Sequence, residues 1–192
     1  MKPLNFRERF EESYMPVRIP AENAKGYKTK YIYYAPWYVW DLSYMRLKKE
    51  KALILSCSIS SFVLFLWIVT RDIRFNYNVL VYAPAVLAFC AHILELVALF
   101  RFTWSKVRIT KMNYSEVTEV MLYVPAGRGA LGLVSGVVSL ILVFMDGFSL
   151  SAVSVSLGYL IYAGLARFVY RRFSSLPCRI EDNDVICNIV NE

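Results

Sequence analysis

The chain has 192 residues, of which 57% are hydrophobic and 19% charged, and its net charge is +7. A soluble domain of this size could not hide so much apolar surface, because surface shrinks too slowly relative to volume. The basic excess does not indicate nucleic-acid binding, since Lys and Arg cluster beside long apolar segments, where they orient such segments and meet lipid headgroups. We therefore expect the lipid bilayer to be a partner of this chain and nucleic acid not to be one.

Residues 1–51 are predicted to form a cytoplasmic N-terminal arm. Residues 1–30 are polar, of mixed charge and interrupted by prolines, so we expect an irregular segment. An aromatic cluster follows, made of Tyr31, Tyr33, Tyr34, Trp37, Tyr38, Trp40 and Tyr44. Pro36 can open a helix, and aromatic rings followed by cations are typical of an interfacial helix that places Trp37, Tyr38 and Trp40 at headgroup depth. The alternative is a docking surface for a partner protein.

Four apolar segments predict membrane-spanning helices, because about 20 apolar residues cross a hydrocarbon core about 30 Å thick. They cover residues 52–70, 79–100, 129–145 and 148–168. The sequence thus predicts an all-α membrane protein: a four-helix transmembrane bundle over residues 52–172, with an N-terminal interfacial helix and small cytoplasmic α/β elements. We expect no cleavable signal peptide, because the first 50 residues contain no apolar core stretch.

The orientation of the bundle follows from its basic residues. Twenty of the 22 Lys and Arg residues lie in the arm, in the central loop 101–128 or in residues 167–192, at the end of the fourth span and in the tail 173–192, whereas the loop after the first span holds only Arg71 and Arg74. Basic residues accumulate on the cytoplasmic side of membrane proteins. Both termini and the central loop are therefore predicted to be cytoplasmic, and the expected location is the cell membrane.

The central loop and the tail are expected to contain small ordered elements. Polar and apolar residues alternate over residues 106–111, which suits a short strand. Asn113 and Glu116 have the spacing of a capping box, and the helix they open is expected to end near Pro125 and to lie on the membrane surface or against the N-terminal arm. In the tail, residues 178–180 and 185–190 flank a turn and predict a hairpin. Three such strands could form a small sheet.

The second span contains the most informative polar residues. His92 and Glu95 lie on one face, roughly 13 Å and 9 Å from the cytoplasmic edge at 1.5 Å per residue. A carboxylate at that depth must be protonated, paired or beside water, and His92 and Arg167 are the candidate partners. We expect His92, Glu95 and Arg167 to form an intramembrane polar site that fixes helix register. Tyr159 and Tyr162 of the fourth span are alternative hydrogen-bond partners. The alternatives are a proton or ion path and a ligand or lipid-headgroup site.

The third span carries a small-residue face. Gly132 and Gly136 form the small-xxx-small pattern that allows two helix backbones to approach closely. The first interpretation is packing against another helix of the same bundle, and the alternative is self-association.

No combination of residues indicates catalysis, a metal site or a cofactor. His92 is the only histidine and lies within a span, so no serine has a plausible base. Two of the four cysteines lie in apolar segments, and Cys178 and Cys187 are too far apart for a zinc knuckle. The function we expect is that of an accessory or scaffolding membrane subunit with a protein partner or a second copy of itself. The alternative is a small oligomeric channel or proton-coupled transporter that uses Glu95 and His92.

Overall fold

The computed structural model describes residues 6–20 and 26–183, which form two compact units. The first, here called the sheet unit, comprises the described parts of Met1–Asp41, Lys106–Glu116 and Pro177–Glu192. The second, the helical unit, comprises Leu42–Ser105 and Val117–Leu176. Helices account for 71% of the structure, and small sheets complete it, so the mainly helical fold class is confirmed.

Within residues 6–20 and 26–183, four helices are long and apolar enough to span a membrane. They are α2 (Tyr44–Val69), α3 (Val79–Trp104), α4 (Lys111–Asp146) and α5 (Leu150–Ser174). Each overlaps one predicted span. A short 3-10 helix, Arg74–Tyr77, joins α2 to α3. The side chain of Asn78 accepts a hydrogen bond from Leu80 N and that of Ser149 accepts one from Ala152 N, so each hydroxyl or amide oxygen satisfies an amide that the first helical turn leaves unpaired.

Helix α4 corrects the predicted boundary at Pro125. It runs without a break for 36 residues, about 54 Å at 1.5 Å per residue, and contains both the expected surface helix and the third span. A proline inside a helix removes one backbone hydrogen bond and costs about 3 kcal/mol. Pro125 is itself buried, and so are Met121 and Arg128, about one turn before and after it, so this face of α4 lies inside the helical unit.

Close approach of backbones defines the packing of α5. A Cβ atom added to Gly129 would lie 3.3 Å from Ala166 Cβ, and one added to Gly136 would lie 3.3 Å from the backbone nitrogen of Leu160. On another face of α5, a Cβ added to Gly158 would lie 2.8 Å from Ile68 Cγ1 of α2. Helix α5 therefore packs closely against both α4 and α2, as small residues allow.

The sheet unit replaces the expected irregular arm. Helix α1 (Phe6–Glu11) precedes the antiparallel strands β1 (Tyr14–Pro20) and β2 (Tyr27–Tyr33). Both prolines of β1 are tolerated because a two-stranded sheet leaves one edge of each strand unpaired. Aromatic side chains provide the apolar contacts of this unit. The ring centroids of Phe10 and Tyr14 are 4.6 Å apart and those of Tyr14 and Tyr33 are 5.3 Å apart. The polar composition of the segment does not indicate this packing.

A second sheet is built from three distant parts of the chain. Strand β3 (Trp37–Trp40) lies between β4 (Arg108–Thr110) and β5 (Cys178–Glu181), antiparallel to both. The strand predicted at residues 106–111 and the first strand of the tail are confirmed, but the rest of the predicted hairpin, residues 184–190, lies outside the described residues. The central strand is the segment for which an interfacial helix was expected.

Candidate functional site: a buried polar cluster

A polar cluster lies inside the helical unit and takes side chains from all four long helices. Each of its six side chains is fully buried, with 0% exposure. They are Ser58 and Ser61 of α2, His92 and Glu95 of α3, Arg128 of α4 and Tyr162 of α5. The two members from α2 are three residues apart, as are the two from α3, so each pair lies on one face of its helix, and α4 and α5 contribute one residue each.

The centre of the cluster is a salt bridge between Arg128 and Glu95. Arg128 Nε donates to Glu95 Oε2 at 2.5 Å, and Nη2 donates to Oε1 at 2.9 Å. This two-pronged geometry is the strongest arrangement of guanidinium and carboxylate. Arg128 Nη1 donates to Ser61 Oγ at 2.9 Å, and the guanidinium lies over the ring of Tyr162, 5.0 Å from its centroid. The buried cation thus has a counter-charge, a hydroxyl and an aromatic face.

A chain of hydrogen bonds extends from Glu95 through His92. Ser58 Oγ donates to Glu95 Oε1 at 2.7 Å, so the same hydroxyl oxygen accepts from His92 Nε2–H at 3.2 Å. A second buried cation beside Arg128 would have no counter-charge, so the neutral ring fits, with Nδ1 accepting from the Tyr162 hydroxyl at 3.2 Å. These hydrogen bonds assign to His92 the neutral tautomer with its proton on Nε2. The hydroxyl of Tyr162 also lies 3.4 Å from the carbonyl oxygen of Ala88.

The expected role of Arg167 is wrong. Arg167 is exposed on α5, and the two oxygens of Glu95 are occupied by Arg128 and Ser58. The structure does bring His92 and Glu95 together, through Ser58 rather than directly. The length of the third predicted span could have indicated Arg128. Its 17 apolar residues cover only about 25 Å, which is less than the hydrocarbon core, so a spanning helix needs another turn, and the preceding turn contains Arg128. Arg128 precedes the predicted start of the third span, and its charge is accommodated inside the helical unit because Glu95 compensates it.

The two glycines of the predicted helix-packing face lie against α5. A Cβ atom on Gly132 would lie 2.8 Å from Tyr162 Cδ1, and one on Gly136 would lie 2.7 Å from Leu160 Cδ2. Gly132 therefore leaves the space in which the ring of Tyr162 reaches both Arg128 and His92. The small-residue face and the polar cluster form one continuous arrangement.

The three residues predicted to lie at headgroup depth, Trp37, Tyr38 and Trp40, belong to strand β3 and not to a helix. Trp37 and Tyr38 are half-buried and Trp40 is 3% exposed. Tyr38 stacks on Tyr114 with ring centroids 4.3 Å apart, and Arg108 lies over the Trp37 ring at 4.8 Å. The expected interfacial helix is therefore wrong. Alternating aromatic residues suit both a headgroup belt and a strand, and only the pairing partners β4 and β5 distinguish them.

Tyr33 connects the elements of the sheet unit. Its hydroxyl donates to the carbonyl oxygen of Pro36 at 2.6 Å and accepts from the backbone amide of Lys111 at 2.8 Å. Burial raises the pKa of Tyr33, partly offset by the amide of Lys111, so the hydroxyl keeps its proton at neutral pH. Asn183 Nδ2 donates to the carbonyl oxygen of Tyr33 at 2.9 Å.

Comparison with known proteins does not add a function to this arrangement. No family model matches the chain, and neither a curated protein nor a solved structure is significantly similar to it.

Proposed function

We propose that the four long helices cross the cell membrane and that both termini are cytoplasmic. Large apolar side chains such as Val63, Leu94 and Ile141 are exposed on the helical unit, and lipid would cover them. The distribution of Lys and Arg, with only Arg71 and Arg74 in the loop after α2, supports the orientation.

Within that placement, the protein acts as an accessory or scaffolding subunit whose function is contact with a partner. The observation that carries this proposal is the closure of the polar cluster: Glu95, Arg128 and His92 have 0% exposure and each has side-chain partners on other helices. A fully paired, water-excluded cluster fixes the register of four helices. A rigid helical unit of this kind suits a protein that anchors and positions others.

Capture of the full chain from its native membrane tests the partner. After cross-linking in cells and extraction in a mild detergent, light scattering is expected to give a particle whose protein mass exceeds the 22.2 kDa of one chain. Mass spectrometry then identifies a recurrent second protein or a second copy. The variant Ile180→Asp changes an exposed apolar residue of β5 and is expected to weaken the association, whereas Arg167→Gln changes an exposed residue of α5 and serves as the control. A monodisperse monomer would contradict the proposal.

A proton-coupled transporter is the second candidate, and one observation favours it. The series Tyr162, His92, Ser58 and Glu95 is a continuous chain of hydrogen bonds, along which a proton could move. Because both ends of this chain are buried, we expect no proton flux in vesicles that contain the purified protein and a pH-sensitive dye. Flux that is lost in Glu95→Gln and His92→Ala but kept in Glu50→Gln would replace the scaffold with a transporter.

A further inference from the structure

A cavity of about 400 Å³ lies in the helical unit beside the connection between α2 and α3. Most of its wall is apolar and includes Phe65, Val69, Ala85, Val86 and Phe89. Its volume falls within the range of roughly 300–1,000 Å³ that is usual for ligand sites. Val86 and Phe89 are also exposed on the outer surface of α3, so the cavity is open on an apolar face rather than toward the polar cluster.

Arg71 lines this cavity and supplies a charge that the protein does not neutralise. Its guanidinium lies over the ring of Trp67, 4.8 Å from the centroid, and it forms no ion pair with any residue that the structure describes. The neighbouring polar side chains already form hydrogen bonds within the protein. Asn76 Nδ2 donates to the carbonyl oxygens of Ile68 and Arg71, and Tyr77 donates to Asp72 at 3.1 Å.

An apolar cavity with an unpaired guanidinium is complementary to an anionic amphiphile. Arg71 lies two residues after Val69, the last residue of α2, so in a bilayer it would lie at headgroup depth while the cavity extends toward the acyl chains. A guanidinium binds phosphate through two parallel hydrogen bonds, and its stacking on Trp67 orients it. A zwitterionic phospholipid offers the same phosphate, but its own ammonium group compensates that charge, so Arg71 favours a headgroup with net negative charge.

We infer that the cavity holds one acyl chain of an anionic phospholipid whose phosphate binds Arg71. The inference goes beyond the scaffold function and rests on the proposed placement of the four helices in a membrane. It assigns a specific lipid site to the α2–α3 face, on the side of the molecule where basic residues are few.

The test uses the full chain in lipid nanodiscs of phosphatidylcholine and phosphatidylglycerol in a 3:1 ratio, with native mass spectrometry of the lipids that remain bound. The wild type is expected to retain phosphatidylglycerol well above its share of the mixture. Arg71→Ala is expected to lower this enrichment about fivefold. Arg74→Ala is the matched control, because Arg74 is exposed on the same connection but does not line the cavity.

A second variant fills the cavity and keeps the charge. Val86→Trp is expected to abolish retention of phosphatidylglycerol although Arg71 is unchanged, and circular dichroism checks that the helices remain folded. Retention of the two lipids by the wild type in the 3:1 ratio of the mixture would overturn the site, as would an equal loss of enrichment in Arg71→Ala and Arg74→Ala. A chain that fails to float with lipid vesicles would instead overturn the membrane placement itself.

Discussion

The pair of Glu95 and Arg128 shows how a charge can lie inside an apolar bundle. Transfer of either ion alone into a low-dielectric interior costs several kcal/mol, which mutual attraction and further hydrogen bonds must offset. Here Ser58 and Ser61 bind the pair from α2, and Tyr162 covers it from α5. Loss of one partner leaves the other charge buried and uncompensated, so single and double substitutions should differ strongly.

Glu95→Gln is therefore expected to destabilise the helical unit by about 3–5 kcal/mol. Arg128→Met should cost a similar amount, and the double variant should be more stable than either single variant because it removes both charges. Reversible unfolding in mixed detergent micelles measures these differences. Glu50→Gln is the control: Glu50 pairs with the half-exposed Arg172 at 3.7 Å, and its loss should cost less than about 1 kcal/mol. Equal effects at positions 50 and 95 would contradict this account.

Ser58 is a second residue whose effect can be predicted. Its hydroxyl donates to Glu95 and accepts from His92, so Ser58→Ala leaves two buried polar groups short of a partner. The expected loss of stability is about 1–3 kcal/mol. Ser60→Ala, at an exposed position two residues along α2, should change stability by less than about 0.5 kcal/mol in the same unfolding experiment. A Ser58→Ala variant as stable as Ser60→Ala would show that the histidine and carboxylate find other partners.

At the scale of elements, close helix packing depends on a few glycines of α4. Gly136 faces Leu160, and Gly132 faces the ring of Tyr162, so the α4 backbone reaches α5 only where side chains are absent. Gly164 of α5 offers a contrast, since a Cβ atom there would meet nothing within 4 Å. The small-residue face is thus occupied within one chain, which leaves less of it for self-association.

Gly136→Val is expected to destabilise the helical unit by about 1–3 kcal/mol, because the added atoms overlap the side chain and approach the backbone of Leu160. Gly164→Val introduces the same side chain into an open position and should stay within about 0.5 kcal/mol of the wild type. Thermal unfolding in detergent, followed by circular dichroism, compares the two. Similar melting temperatures for both variants would refute the packing argument.

At the scale of the whole molecule, topology is the quantity to measure. The basic residues predict that the loop with Arg74 lies outside and that the start of α4 lies in the cytoplasm. In a background in which all four cysteines are replaced by serine, a membrane-impermeant maleimide is expected to label Arg74→Cys in intact cells. Asn113→Cys, also at an exposed position, should react only after the cells are opened. The reverse pattern would invert the orientation and the leaflet assigned to the lipid site.

The sequence alone predicted four long apolar helices, two short strands within residues 106–111 and at residues 178–180, and the need of Glu95 and His92 for partners. These features follow from local composition, because length, hydropathy and alternation act within one segment. Only the tertiary structure decided that Arg128 rather than Arg167 pairs with Glu95 and that residues 37–40 are a strand. Both outcomes depend on which distant segments of the chain come into contact. The cost of burying a charge and the pairing of a strand are determined by those contacts and not by the local sequence.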